Sequence, residues 1–355
     1  MSNQQQSVDG INTIDTDRLQ TYFDQQTNLA EPLGQIVEIE KFSGGQSNPT
    51  FLLTMDNPSR QLVLRKQPPG ELLKSAHAVD REYRVMAALQ GTAVAVPDMM
   101  CLCEDKSVIG TLFFIMNYVP GVTFWQAALP EVDQRRRAEI YRTMGDTLAE
   151  LALIKPESVG LGDFGRPGNY FERQLSRWSG QYRQTEMRSI ASMEWIMGWL
   201  TEHMPADDGR VALVHGDFRL DNLKFVDEEG GYRVVGVLDW ELSTLGHPLA
   251  DLANLCMQLR VPEGMANMSG LAGKDVLALG IPDEQTIVTR FEEATSVRIE
   301  HWPFYVAFGL FRIAAILQGV AKRAVEGNAS NPQAAKLAEF VEPLADIAID
   351  VAKNG

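Results

Sequence analysis

The sequence predicts an α+β protein with two lobes, a small mixed N-terminal lobe and a larger, mostly helical C-terminal lobe. Two observations support this fold class. Up to about residue 120 the segments follow the order strand, strand, strand, helix, strand, strand. Beyond that point the pattern is helical, apart from one β-rich island over residues 211–240. We therefore expect a polar segment with a short helix over 1–30, a first lobe over 31–120 and a second lobe over 121–355.

In the first lobe, alternation and turn residues mark the elements. A short amphipathic helix begins at Asp15 or Thr16 and is followed by an edge strand over 36–41. Two apolar runs, 51–55 and 62–65, are separated by Asp-Asn-Pro-Ser, a strong turn sequence. A helix is expected over 76–89, and strands at 99–103 and 112–118. We expect the strands to form an antiparallel sheet.

The helices of the second lobe are predicted from apolar residues at a period of 3.6. They are expected over residues 133–154, 170–182, 188–203, 249–259, 283–296, 302–325 and 334–352.

Composition restricts the function. The formal net charge of −15 argues against nucleic acid and against an anionic membrane surface, because both require a basic face. The polar N-terminus lacks the apolar region of a signal peptide, and no apolar run is expected to reach membrane-spanning length. The spacing of Cys101, Cys103 and Cys256 fits neither a zinc site nor a redox pair, so we expect reduced, structural thiols. These features predict a cytoplasmic protein.

The strongest functional signal is the sequence LVHGDFRLDNL over 213–223. Asp217 and Asn222 stand five residues apart in a polar loop flanked by apolar, strand-like residues, and Asp239 ends a second apolar strand. Phosphoryl transfer needs an acceptor for the proton of the substrate hydroxyl and oxygen ligands for Mg²⁺. Asp217 fits the first role, and Asn222 with Asp239 fits the second.

This pattern resembles the protein-kinase catalytic loop H-R-D-x-x-x-x-N, with Gly216 at the arginine position, and Asp239-Trp-Glu stands where kinases carry D-F-G. Together the two variants are similar to the aminoglycoside phosphotransferase or choline kinase-like family. Within that family, the sequences 215–222 and 238–251 resemble in particular the kinase-like domain of acyl-CoA dehydrogenase family members 10 and 11. The resemblance extends from about residue 36 to beyond 251. It implies a protein-kinase-like fold, with ATP and Mg²⁺ as cofactors.

Two further residues of the loop receive roles. His215 is interpreted as a hydrogen-bonding scaffold of the loop rather than an acid or base. Arg219 either stabilises charge on the γ-phosphoryl oxygens or is a surface or substrate-facing arginine, and both interpretations stay open. Without the motif's arginine at Gly216, no switch by a phosphorylated activation segment is expected. Three acidic residues near the motifs receive no role from the sequence: Asp221, Glu241 and Asp251.

A loop between the first two strands is a candidate for phosphate binding, with a plain hairpin turn as the alternative. Its glycines allow backbone amides to approach a phosphate, and its polar side chains add hydrogen bonds. The residues are Ser43, Gly44, Gly45, Gln46, Ser47 and Asn48.

The cation that pairs with the α- and β-phosphates should project from the third strand. Alternation places Val63 and Arg65 on one face of this strand. If Lys66 pointed to the nucleotide, Arg65 would lie on the face that packs on the core, so Arg65 is favoured over Lys66. Glu82 of the following helix is then its expected ion-pair partner. The segment 115–121 resembles a kinase hinge at about 116–120. Adenine would then contact residues Met116, Asn117 and Val119.

The acceptor is predicted less narrowly. Residues 131–189 carry ten basic and nine acidic side chains, which is a net charge of +1, whereas the whole chain has a net charge of −15. An arginine-rich insert favours an anionic substrate, although the same arginines could be solvated helix faces. The resemblance implies a small-molecule hydroxyl as acceptor, with a hydroxyacyl-CoA as one candidate. An aminoglycoside kinase and a nucleotide-binding pseudokinase remain alternatives.

Overall fold

The computed structural model describes residues 14–26, 32–42, 48–57, 60–68, 78–327 and 332–355. The chain divides into two compact units. The first comprises the residues up to 121 together with 235–243, and the second comprises 122–234 and 244–355. The second lobe expected from the sequence included every residue after 120, whereas 235–243 belong with the first unit.

The first unit contains a five-stranded antiparallel sheet in the order β1-β2-β3-β5-β4. This confirms the predicted antiparallel sheet of the N-terminal lobe. The strands are β1 (Ile36–Lys41), β2 (Thr50–Met55), β3 (Gln61–Lys66), β4 (Met99–Cys103) and β5 (Phe113–Asn117).

The core of this unit lies on one face of the sheet. Helix α1 (Thr16–Asp24) begins after Asp15, whose carboxylate accepts the backbone N–H of Arg18. Its buried side chains pack with Leu62 and Leu64 of β3 in one apolar cluster. Because side chains alternate along a strand, Arg65 projects to the opposite face.

Helix α2 (Val79–Leu89) has a buried stripe at Val79, Glu82, Met86 and Leu89, which is the spacing of one helix face. Glu82 is the polar exception, with 1% of its surface exposed. A carboxylate on the buried stripe requires a cation from elsewhere in the unit.

The second unit is mostly helical, as predicted. Two pairs of short strands interrupt the helices, β6 (Ala212–Val214) antiparallel to β9 (Thr244–Gly246), and β7 (Leu223–Glu228) with β8 (Gly231–Val237). The last three residues of β8 already belong to the first unit. The helices are α3 (Arg137–Leu153), α4 (Tyr170–Thr185), α5 (Ala191–Glu202), α6 (Leu249–Met257), α7 (Glu284–Thr295), α8 (Trp302–Val325) and α9 (Val341–Asn354).

Helix α8 is the central helix of the second unit and packs against α4, α6 and α9. It has 24 residues and contains an apolar 18-residue stretch, so by length and composition it is long and apolar enough to cross a membrane. The expectation that no apolar run reaches this length is therefore wrong. Since 67% of the apolar stretch is buried inside the protein, its composition is explained by packing in the core.

Helix α9 begins later than predicted. Residues 332–340 form a 3₁₀ segment, and the α-helix starts at Val341 instead of at 334. The reason is Pro343. A proline lacks the N–H that would bond to Glu339 and its ring clashes with that carbonyl, so it is tolerated only in the first turn of an α-helix.

Candidate active site

Arg65 is the centre of an ionic cluster inside the first unit, which we call the Arg65 cluster and which comprises Arg65, Glu82, Asp239 and Glu241. Its Nε lies 2.8 Å from Oε2 of Glu82, and its Nη2 lies 2.6 Å from Oδ1 of Asp239. Oε2 of Glu241 is 3.6 Å from the same Nη2. Three carboxylates thus surround one guanidinium, and when all are ionised the cluster carries −2.

Burial, together with the excess of carboxylates, changes the ionisation of this cluster. Burial raises the pKa of Glu82 to about 7, against the opposing effect of Arg65, and Asp239 and Glu241 push it in the same direction as burial. Burial alone would lower the pKa of Arg65, but the three carboxylates raise it above its ordinary value. Further positive charge, such as a metal ion, would be favoured at this cluster.

The backbone holds Asp239 in an uncommon conformation, with φ 64° and ψ 59°. This left-handed region is sparsely populated by residues other than glycine, although aspartate tolerates it better than most. Asp239 precedes a short 3₁₀ helix, Trp240–Leu242, whose buried Trp240 donates its indole N–H to the carbonyl of Val237. The turn thereby directs the carboxylate of Asp239 at Arg65.

The structure pairs Arg65, and not Lys66, with Glu82. Lys66 has 2% of its surface exposed, and its ammonium lies 5.7 Å from the ring centre of Phe51. Burial lowers the pKa of Lys66, with a smaller contribution from Lys41 in the same direction. Lys66 therefore occupies the core side of β3, while Arg65 faces the acidic residues.

The other residues predicted to contact the nucleotide belong to the loop over 43–48 and to the segment that resembles a kinase hinge. The loop residues 43–47 lie outside the described part of the chain, but Asn48 is buried and its amide donates to Glu241 over 3.4 Å. Met116 is buried opposite Val63 of β3, and the Asn117 amide donates to Asp98 over 3.3 Å. Val119 is partly buried. Their contact with a nucleotide stays a prediction.

In the second unit, the structure brings Asp217 and Asn222 together. The amide nitrogen of Asn222 donates to the backbone carbonyl of Asp217 over 2.9 Å and to its Oδ2 over 3.1 Å. His215 is completely buried, and its Nδ1 accepts the backbone N–H of Asp217 over 3.2 Å. These hydrogen bonds fix the backbone and the side chain of Asp217 in the loop, and its carboxylate is partly exposed.

A buried carboxylate fixes the backbone of this loop. Asp251 of α6 accepts the N–H of His215 over 2.6 Å and the N–H of Gly216 over 2.8 Å. Burial raises the pKa of Asp251, while His215 and the two N–H donors act in the opposite direction. Gly216 has φ 86°, a conformation that favours glycine, which explains the residue at the motif's arginine position.

Two more helices contribute to the loop. Arg312 of α8 donates to the carbonyl of Gly216 over 2.8 Å, and Asn254 of α6 donates to the carbonyl of Phe218 over 3.3 Å. The sequence motifs predict no role for Asp251, Arg312 or Asn254. A detectable signal was present, because each is a polar residue within a strongly apolar helix.

Arg219 lies among the acids of the loop. Its Nη2 is 2.9 Å from Asp221, and its Nε is 3.4 Å from Oδ2 of Asp217. The Arg219 side chain is 48% exposed, so the guanidinium remains accessible to a ligand. Asp221 thus acquires a structural role as the partner of Arg219, and both interpretations of Arg219 remain open.

The oxygen atoms of this protein fit the magnesium that the motifs imply. The amide nitrogen of Asn222 is used by Asp217, so its carbonyl oxygen is the atom left for a cation. Asp239 offers a partly exposed carboxylate. Both are hard oxygen donors of the type that Mg²⁺ takes, usually with phosphate oxygens and water completing the shell.

Comparison with known proteins gives a consistent result. A family model described as "Phosphotransferase enzyme family" matches residues 38–274. The mouse protein acyl-CoA dehydrogenase family member 10 is 43% identical over 89% of this chain and 29% of its own length. The human family member 11 is 35% identical over 96% of this chain and 43% of its own. The chain therefore spans less than half the length of these relatives.

Solved structures share the fold. A Ralstonia eutropha protein named after the aminoglycoside phosphotransferases has a TM-score of 0.85 and 43% identity, covering 96% of this chain and 99% of that one. An aminoglycoside phosphotransferase solved with ADP and hygromycin B has a TM-score of 0.61 over 96% and 99% of the two chains, with 16% identity. From the matched residues, the high identity and the shared fold together, the chain belongs to the phosphotransferase enzyme family that includes the aminoglycoside phosphotransferases.

Proposed function

We propose that this phosphotransferase uses Mg²⁺ and ATP to phosphorylate a hydroxyl of a small anionic metabolite, with hydroxyacyl-CoAs as the first class to test. The observation that carries the proposal is the contact between Asp217 and Asn222 in a loop fixed by Asp251. A base and a metal ligand held in one rigid loop are the two groups that phosphoryl transfer requires.

In the proposed reaction, the acceptor hydroxyl oxygen attacks the γ-phosphorus of ATP while the bond to the β-phosphate oxygen breaks. The proton of the hydroxyl passes to the carboxylate of Asp217, and ADP leaves with the electron pair of the broken bond. The hydrogen bond from Asn222 keeps Oδ2 of Asp217 oriented, since it fixes the carboxylate against rotation. His215 stabilises the same loop from its buried side and takes no proton.

The Arg65 cluster is proposed to bind the nucleotide. Arg65 would pair with the α- and β-phosphates and retain Glu82 as its buried partner. Asp239 and Asn222 would hold Mg²⁺, which when bound neutralises charge on the phosphate oxygens. Because the cluster has three carboxylates for one guanidinium, a bound metal would supply the positive charge that the protein lacks there.

Two observations support an anionic acceptor. The insert over 131–189 has a net charge of +1, whereas the whole chain has a net charge of −15, so the local charge favours an anion there. The relatives of highest identity carry acyl-CoA dehydrogenase in their names. An enzyme that acts on acyl-CoA thioesters could receive a substrate modified by a linked phosphotransferase.

A screen for ATP consumption tests the proposal. The native protein is incubated with Mg-ATP and with hydroxyacyl-CoAs, sugars, amino alcohols and aminoglycosides, and ADP formation is measured. We expect the highest kcat/KM for a hydroxyacyl-CoA. Preference for an aminoglycoside would overturn the acceptor class, and tight binding of Mg-ATP with no acceptor at all would favour a pseudokinase.

Metal dependence is tested separately by calorimetry. Asp239→Ala should abolish the Mg²⁺-dependent part of ATP binding, because it removes a proposed metal ligand. Asp227→Ala is the control, since Asp227 is an aspartate that also pairs with an arginine, Arg136, but lies at the surface. Unchanged affinity for Mg-ATP in Asp239→Ala would remove Asp239 from the metal site.

A further inference from the structure

The N-terminal end of α4 borders an open pocket with a volume of about 490 Å³, which we call the arginine pocket. Three arginines dominate its wall, Arg166, Arg173 and Arg177. The only ionisable side chain of opposite sign among its lining residues is Glu172. With three positive charges and one negative charge, the pocket carries +2, in contrast to the acidic chain around it.

The three arginines have different roles. Arg173 donates to the backbone carbonyls of Arg166 over 2.5 Å and Pro167 over 3.4 Å, so it fixes the rim of the pocket. Within the described ranges, neither Arg166 nor Arg177 has a carboxylate within ion-pairing distance. Arginine has five N–H donors in a planar fork that match phosphate or carboxylate oxygens. These two guanidinium groups are therefore available to an anion.

Some arginines of the second unit, by contrast, have a carboxylate partner. Arg183, on the same helix, contacts Glu194 and Glu186, and Arg188 lies 2.6 Å from Glu342. Arg166 and Arg177 lack such a partner among the described residues, and both line the same pocket, so the two guanidinium groups can bind one anion together.

The arginine pocket is connected to the catalytic loop by direct contacts. The guanidinium carbon of Arg177 lies 5.2 Å from the ring centre of Trp178, and that of Arg312 lies 5.7 Å from it. Arg312 in turn donates to the carbonyl of Gly216, the residue before Asp217. An acceptor with its hydroxyl at Asp217 and a charged group some distance away could occupy both places.

We propose that the arginine pocket binds a phosphate-type dianion carried by the acceptor and thereby selects acceptors that bear one. This inference rests on the proposed function for its acceptor, but the pocket itself can be tested without turnover. Arg166 and Arg177 would contact the anion directly, and Arg173 would position the rim. The first turn of α4 adds backbone N–H groups, whose partial positive charge also favours an anion.

Direct binding is tested with inorganic pyrophosphate as the probe, by calorimetry in the presence and absence of saturating Mg-AMP-PNP. We compare the native protein, the double variant Arg166→Gln/Arg177→Gln, and the control Arg183→Gln. Because two charge-assisted contacts are lost, the double variant should bind pyrophosphate at least about tenfold more weakly when the nucleotide is present. The native protein and the control should bind alike, and the affinity for Mg-AMP-PNP should be unchanged in all three.

Equal pyrophosphate binding by the native protein and the double variant would overturn the inference, as would absence of binding to the native protein. Failure of Mg-AMP-PNP to bind any variant, with pyrophosphate still weakened in the double variant, would overturn the proposed function and leave the pocket standing.

A kinetic comparison separates an acceptor site from a site for free anions. For a phosphate-bearing acceptor found in the screen, KM should rise about tenfold in the double variant with kcat nearly unchanged, as for loss of uniform binding. The same acceptor without its phosphate should show no change in KM. If both acceptors were affected equally, the anion bound at the pocket would not belong to the acceptor.

Discussion

The Arg65 cluster and the catalytic loop position their functional carboxylates by different means. In the Arg65 cluster, Asp239 is held by an ion pair with Arg65, in a group of four charged side chains that do not balance. In the catalytic loop, Asp217 accepts the neutral amide of Asn222, and exposed Arg219 lies 3.4 Å from the same carboxylate. The backbone of the loop is fixed by buried Asp251. We expect the first arrangement to change when a cation or a phosphate binds, whereas the hydrogen bonds of the second are made within the protein itself.

This difference matches the two tasks of a phosphotransferase. A nucleotide site has to exchange a protein ion pair for contacts with phosphate and metal, so its electrostatics must be adjustable. A general base has to meet a hydroxyl at a fixed distance, and preorganisation of that geometry lowers the barrier. We expect substitutions in the loop to affect turnover selectively, and substitutions in the cluster to affect stability and nucleotide binding together.

The largest effect is expected for Asp217→Asn. This substitution keeps the size of the side chain but removes its basicity, and loss of a general base typically costs about 10²–10⁴-fold in rate. Because the proposed metal ligands are Asn222 and Asp239, affinity for Mg-ATP should be nearly unchanged, and the change in the free energy of unfolding should stay within about 1 kcal/mol. Steady-state kinetics, calorimetry and thermal unfolding check the three parts. Near-native turnover would place the base on another residue.

Arg65→Met should be the most damaging change in the cluster. It removes the phosphate contact and leaves buried Glu82 without its cation, so turnover should fall by about one to several orders of magnitude. Lys66→Met is the matched control, because methionine keeps the length of the chain beside Phe51 and no carboxylate depends on Lys66 for an ion pair in the described residues. Turnover and chemical denaturation of both variants check this, and the reverse ranking would assign the phosphates to Lys66.

The smallest effect, and the most specific, is the pH dependence due to Glu82. Folded Glu82 retains its proton up to about pH 7, whereas the ordinary carboxyl releases it near 4.5, so the folded state binds more protons between these values. The free energy of unfolding should therefore fall as the pH rises from 4.5 to 7, by roughly 3 kcal/mol from this group, and level off above. Glu82→Gln should lose this part of the slope. Denaturation at several pH values measures it, and an identical slope in the variant would contradict the assignment.

Local patterns were sufficient for most of the fold but not for its long-range contacts. Alternation along residues 62–65 placed Arg65 on the face away from the core, and the structure finds it there beside Glu82. The start of α9 was predicted seven residues early, because the apolar period extends to both sides of Pro343. An α-helix accepts a proline only in its first turn, so the helix cannot begin much before that residue. The hydrophobic period of a sequence does not show which residue pairs with a buried charge. Arg312 lies 96 residues from the carbonyl that it binds, so only the folded chain reveals the pairing.

The assignment of 235–243 to the first unit has a consequence for biosynthesis. Glu82 and Arg65 leave the ribosome early, but Asp239 and Glu241 follow only after the long segment 122–234 has been made. At about 5–20 residues per second, this delay amounts to roughly 5–25 seconds. During that interval the Arg65 cluster consists of one guanidinium and one carboxylate, a balanced pair. The surplus of negative charge in the cluster, and with it the demand for a cation, arises only when about half of the second unit has been made.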